Sequence, residues 1–497
     1  MASKTSIASL DIREVGVVKE LKQGIVKVSG LPSCIFGQLV EFSRGSKGMV
    51  MGFNLEEVLI IVLGDDSLIN MGDTVTSRSE LLSVPVGDNF AGRVVDCLAR
   101  PVDGKGAITA TDHYPVFREA LGVMEREPIT VPLHTGTKIL DLVIPIGKGQ
   151  RELIIGDRQT GKTSIAIDAI LSQKGRNVVC VYCYIGGSYS ALKKTMNLLN
   201  EKGALSYTIV VCATASSTPA EQYLVPYTAA SLGEYFMFNG KDSLVVFDDL
   251  TKHAWAYRQI SLLMERPPGR EAYPGDIFYV HSQLMERAGR LRAGLGAGTM
   301  TFLPIVNTLQ GDITGYIQSN LVSMTDGQVY LSSNLFFEGF KPAIDLGLSV
   351  SRIGSKVQSG AMRFASSGLR LQYAQYRELQ RLTRLRTKLS KEAMSDIKRG
   401  ETLRELLIQE NGKPLSLAEE IVLFYAFKKK VLEILKPELL KTFKKEFFSF
   451  ICNTNPTLVD KIEKEQELTD EIRGALDKAL INFFQDSKQD SKNDTAR

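Results

Sequence analysis

At 497 residues the chain is too long for one ordinary hydrophobic core, so two to four domains are expected. Apolar residues make up 44% and charged residues 23%, as in ordinary globular proteins, and a formal net charge of +4 is too thin a bias at this length to argue for nucleic-acid binding. No run approaches the roughly 20 apolar residues of a membrane-spanning helix, so any service to a membrane must pass through other subunits.

The first residues, Met1 to Ser6, show no hydrophobic signal segment, which predicts a chain that works in the compartment where it is made. After a tail over 1–13, residues 14–83 read as short strands such as Ile25 to Val28, Leu39 to Phe42 and Val58 to Leu63. They are separated by glycine-bearing turns, a spacing that predicts a small β-barrel. Between 84 and 358, apolar strand-like runs alternate with helical stretches, which predicts an α/β domain with a mostly parallel sheet. From 359 to 487 helices dominate. Tyr376, Leu379, Leu382, Leu385 and Leu389 recur at helical spacing, and the polar stretch 488–497 is expected to be an irregular tail. The fold class is therefore multidomain, with an N-terminal barrel, a central α/β domain and an all-α C-terminal domain.

Two features point away from zinc or redox chemistry. Cys180 and Cys183 form a C-x-x-C inside a strand-like run, where residues three apart face opposite sides, so core packing is expected. The histidines at 113, 134, 253 and 281 are scattered, which predicts no zinc site.

The strongest chemical signal is Gly156-Asp157-Arg158-Gln159-Thr160-Gly161-Lys162-Thr163, a G-x-x-x-x-G-K-T between a strand (Leu153 to Ile155) and a helix (from Ser164). Glycines let backbone N–H groups curl around phosphate oxygens, and the helix N-terminus favours negative charge. Lys162 is expected to reach terminal phosphates and the Thr163 hydroxyl to ligate magnesium. Asp248, at the end of the apolar run Leu244 to Phe247, is expected to hold the same ion through water. Hydrolysis also calls for a carboxylate that positions water, expected after the second strand, yet Ile185-Gly186-Gly187-Ser188 offers none. Such a site should hold ATP or ADP with magnesium and turn it over poorly.

The phosphate loop, the stretch Pro267 to Asp276 and the stretch Pro342 to Arg352 together resemble the alpha subunits of F-type rotary ATP synthases, over about Val15 to Phe484. The resemblance implies a barrel crown, a P-loop domain of RecA type and a helical C-terminal domain. It also implies a ring in which three alpha and three beta subunits alternate around a gamma stalk, driving ATP synthesis or hydrolysis coupled to proton transport. In that family Arg352 would be an arginine finger acting in the neighbouring beta site, worth about 10³–10⁵ in rate. Ser349 occupies a position needed for activity. Phe336, Gln409 and Asn411 match the adenine pocket, whereas Lys341 stands where the family has arginine and Gly187 where alpha subunits have glutamine. Only about a dozen residues precede the barrel, where family members carry a longer extension that binds the peripheral stalk, so either the contact with the delta subunit and stalk is reduced, or the start codon lies upstream, or the chain is a divergent relative lacking that connection. The implied location is peripheral, on the cytoplasmic face of a bacterial inner membrane, with the plastid thylakoid membrane as alternative.

Two other readings stay open on the sequence. A ring-shaped RNA translocase shares this ATPase core but would need basic residues with interleaved aromatics in the barrel, which has no such cluster. An orphan nucleotide-binding scaffold without beta partners is the other.

Overall fold

The computed structural model describes residues 13–494 apart from 55, 385–389 and 436. Six antiparallel strands, β1 (Val15–Lys22), β2 (Ile25–Ser29), β3 (Gln38–Phe42), β4 (Lys47–Phe53), β5 (Val58–Leu63) and β6 (Thr74–Leu81), close a barrel in the order β1-β2-β5-β4-β3-β6. Strand β5 shows why its sequence is an unbroken apolar run. Val58, Ile60 and Val62 fill the barrel, while Leu59, Ile61 and Leu63 pack into the core of the next domain. Period-two alternation serves two cores at once.

The central domain is built on a nine-stranded sheet, mostly parallel. Its order is Val350–Ser351, Gly327–Leu331, Leu153–Gly156, Thr299–Asn307, Asp242–Asp248, Val178–Gly187, Thr208–Thr214, Val94–Val95, with Gly289–Arg290 pairing beside Thr299–Asn307. Cys180 and Cys183 fall in separate core clusters on the two sides of this sheet, and all six cysteines are free. The helix Pro219–Phe238 is apolar almost all round and correspondingly buried. A capping box of Thr218 and Glu221 starts it, satisfying backbone donors that would otherwise be orphaned.

Beyond residue 359 the described chain is helical, and its core joins that of the nucleotide domain: Ile139 and Leu140 share a cluster with Ile421, Phe424 and Phe443. Of the expected apolar stripe, Tyr376 is buried, Leu379 half-buried and Leu382 exposed, whereas Leu385 and Leu389 lie outside the described residues. The last helix, Asp470–Asp494, continues into the stretch expected to be irregular. Polar composition limits packing, but adding a residue to an existing helix costs far less than starting one. Among the described residues, no helix is long and apolar enough to cross a membrane.

Candidate nucleotide-binding site

The phosphate loop leaves the strand Leu153–Gly156 and enters the helix Lys162–Leu171. Two glycines are dictated by geometry. A Cβ on Gly156 would lie 2.5 Å from the Leu331 carbonyl oxygen, and Gly161 has φ +100°, a left-handed conformation that disfavours side chains. The loop is braced from inside by Asp157. Its carboxylate accepts from the Thr308 hydroxyl (2.6 Å), the Gly311 N–H (2.8 Å) and the Ser333 hydroxyl (2.8 Å), while its carbonyl accepts from Thr160 (2.8 Å). Asp157 and Thr160 thus set the shape of the loop, and Arg158 and Gln159 stand exposed at its tip, with the Arg158 guanidinium 5.8 Å from the Trp255 ring centroid.

The Lys162 ammonium donates to the carbonyls of Gly156 (2.8 Å) and Asp157. Burial lowers it to about 8, despite the opposing pull of Asp249 and Asp248. The Thr163 hydroxyl donates to Asp248 Oδ2 at 2.9 Å, and the Tyr182 hydroxyl donates to the same oxygen at 2.8 Å. Burial, with Asp249 alongside, raises the Asp248 carboxyl above its ordinary range. Hydroxyl and carboxylate together offer the hard oxygen donors that suit magnesium. A cavity of about 550 Å³ opens over this group, lined by Lys162, Thr163, Tyr182, Asp248, Lys252 and Asn307 among others.

Asp249 also borders the cavity, and its carboxylate is committed. It caps the helix Leu250–Leu263 by accepting the Lys252 N–H (3.0 Å) and accepts the Asn307 amide (2.8 Å). At the end of the strand Val178–Gly187, a Cβ on Gly187 would meet the Tyr184 hydroxyl oxygen at 2.1 Å. Tyr184 therefore fills the space that a side chain at position 187 would need. Sequence reasoning missed Tyr182, Tyr184 and Asn307. Their only signal is position, one strand over or at a strand end, which requires the sheet order.

The adenine candidates are divided. Phe336 is half-buried, with the Lys341 ammonium 4.7 Å from its ring centroid, so the lysine covers the ring as a point charge rather than a plane. The Gln409 amide is buried and engaged, accepting the Lys138 N–H (3.1 Å) and donating to the carbonyls of Gly136 (2.7 Å) and Lys413 (3.0 Å). Asn411 is exposed.

Arg352 lies just beyond the outermost strand, Val350–Ser351, and its side chain is exposed with no ion pair or hydrogen bond among the described residues. The register places it. Ser351 pairs with Gly327, whereas Gly156 pairs with Leu331 four residues along the same strand, about 13 Å away at strand rise. Arg352 is thus at the opposite end of the sheet from the chain's own phosphate loop. Ser349 is fully buried. Its hydroxyl accepts the Tyr330 N–H at 2.9 Å and its carbonyl accepts from Arg370 at 2.6 Å. It anchors the turn that carries Arg352.

A closed barrel, a parallel sheet bearing a phosphate loop with its acidic partner two strands away, and a helical domain define a three-domain P-loop nucleotide-binding protein. Family models match all three parts: the beta-barrel domain of the ATP synthase alpha/beta family over 11–78, its nucleotide-binding domain over 136–351 and its C-terminal domain over 358–483. The chain is 46% identical to the ATP synthase subunit alpha of Petrotoga mobilis over 483 residues, 96% of each chain. It is 46% identical to that of Clostridium acetobutylicum over 476 residues, covering 96% of this chain and 94% of the relative. The chain belongs to the ATP synthase alpha/beta family. The similarity runs to alpha subunits, and the RNA-translocase alternative is not favoured.

Proposed function

We propose that the chain is the nucleotide-holding, non-catalytic alpha subunit of an F-type ATP synthase ring, and that it lends Arg352 to an adjoining beta subunit. One observation carries this reading: the phosphate-binding parts are assembled, while the place for a water-activating acid is filled by Tyr184 against Gly187. Residues Gly156 to Thr163 would wrap the phosphates of ATP or ADP, with Lys162 as counter-charge. Thr163 would ligate magnesium directly and Asp248 through water. The bound ion would neutralise phosphate charge.

Among the described residues the Arg352 side chain makes no hydrogen bond or ion pair, and it lies at the opposite end of the sheet from its own loop, which suits a residue used by another subunit. Beta and gamma subunits are the proposed ring partners, with the delta subunit and peripheral stalk contacting the crown. The proposed location is the cytoplasmic face of a bacterial membrane, reached through the membrane sector. Phe336 is the firmest adenine contact, with Gln409 setting the wall behind it and Asn411 at the rim. The purified chain is expected to bind Mg-ATP, read by fluorescence titration, with negligible phosphate release. Steady hydrolysis by the isolated chain would overturn the non-catalytic assignment, and failure to join beta and gamma in native mass spectrometry would overturn the ring.

A further inference from the structure

Scattered histidines predict no zinc site, but folding brings one of them beside two buried carboxylates. His134 follows the strand Pro132–Leu133, Asp141 lies in the helix Lys138–Val143, and Glu420 comes from the helix Leu417–Lys428 of the C-terminal domain. They are 8%, 6% and 0% exposed. His134 Nε2 lies 3.4 Å from Asp141 Oδ2 and 3.7 Å from Glu420 Oε2, and one donor atom from each residue falls within 4.8 Å of the others.

Hydrogen-bond accounting sharpens the picture. The Ser172 hydroxyl donates its single proton to the His134 carbonyl (3.1 Å) and lies 3.0 Å from Nδ1. With Nδ1 engaged by Ser172, Nε2 is buried facing the two carboxylates and makes no hydrogen bond among the described residues. Both Glu420 oxygens are likewise buried without a hydrogen-bond partner. Asp141 is held rigidly, accepting from Thr135 N (2.9 Å), Thr135 Oγ1 (2.8 Å) and Gly136 N (2.8 Å). The nearby cations are engaged elsewhere. The Lys138 ammonium donates to the carbonyls of Leu406 and Ile408, and Arg176 Nε donates to that of Ser172. Among the described residues, neither forms an ion pair with Asp141 or Glu420.

Three buried donor groups face one another here, and the Nε2 atom and both Glu420 oxygens lack hydrogen bonds, so a dication between them would use all three as ligands in place of a proton on the ring. We propose that His134, Asp141 and Glu420 bind a divalent cation of the zinc class, stapling the C-terminal helical domain to the edge of the nucleotide domain. A tetrahedral ion with bonds of about 2.0–2.1 Å requires ligand–ligand distances of about 3.3 Å, close to the two histidine distances. Glu420, whose oxygens are otherwise free, supplies the remaining adjustment. Ser172 on Nδ1 and the three donors on Asp141 form the outer shell such sites use to fix ring and carboxylate. The fourth position would face a cavity of about 280 Å³ bordered by Lys148, Gln173 and Gln358, leaving room for water.

The test uses the full chain, stripped by chelator and titrated with zinc alone. The expected result is one bound equivalent and a raised melting temperature. Both should be lost, with affinity lower by about tenfold or more, in His134→Gln and Glu420→Gln, each checked for native circular dichroism. Cobalt titration of the wild-type chain needs no variant to fold, and should give the intense visible band of a four-coordinate site. Absence of zinc binding would overturn the proposal. So would zinc binding of equal affinity in the wild type and both variants, which would place the ion elsewhere, or a cobalt spectrum of six-coordinate type.

Discussion

The phosphate loop and the Arg352 turn stand at opposite ends of one sheet and differ in how completely the chain satisfies them. At the loop the chemistry-bearing side chains have internal partners: Asp157 is tied to Thr308, Gly311 and Ser333, Lys162 rests on two carbonyls, and Thr163 and Tyr182 converge on Asp248. At the other end an exposed guanidinium has none among the described residues, although the turn beneath it is anchored through buried Ser349. One region is complete in the single chain. The other, on the proposed reading, is half of a site shared with a neighbour, and its effect should show only in the assembled ring.

The most direct way to break this contrast is Arg352→Ala. In a ring reconstituted with beta and gamma, hydrolysis should fall by about 10³-fold or more, whereas Mg-ATP binding and melting temperature of the isolated chain should not move. Equal activity of mutant and wild-type rings in a coupled ATPase assay would remove the proposed role.

The next effect belongs to the isolated chain. Gly187→Gln, which restores the amide expected in the family, forces a side chain into the Tyr184 hydroxyl. It should destabilise the chain by about 1–3 kcal/mol in denaturant titration. Adding Tyr184→Ala should recover part of that loss. A single variant as stable as wild type would show that the tyrosine yields easily.

The smallest effect tests the far end of the phosphate-loop helix, where Asp168 Oδ1 accepts the Gly412 N–H at 2.9 Å. Burial raises this carboxyl to about 6 from an ordinary value near 3.8. A raised carboxyl favours the folded state only when protonated. Its cost is therefore absent below about pH 4, grows as pH rises through 6 and is fully present at neutrality. Asp168→Asn keeps the acceptor and removes the charge. It should stabilise the chain by about 1–3 kcal/mol at pH 7, with the gain vanishing near pH 4. A gain independent of pH would show that charge is not its source.

Much of this molecule was legible in its chain. The loop Gly156 to Thr163 is contiguous, so backbone curvature, lysine and hydroxyl are written side by side, and the strand and helix around it follow from apolar runs. Asp248 was readable because it ends such a run, and the opposite faces of Cys180 and Cys183 because strand periodicity is two. Local order suffices where chemistry is local.

Other assignments depended on chain segments far apart in sequence. Ser349 is a buried anchor because the strand Gly327–Leu331 covers it. Gln409 is engaged because its segment closes on Gly136 and Lys138, more than 250 residues earlier. His134 and Glu420 are brought together only by the docking of the C-terminal helices. Sequence periodicity reports which side of an element is apolar, but not which distant element will cover it. That second choice follows from sheet order and domain packing, and it decided which polar groups here are satisfied, which are buried without partners, and which are left for a neighbour.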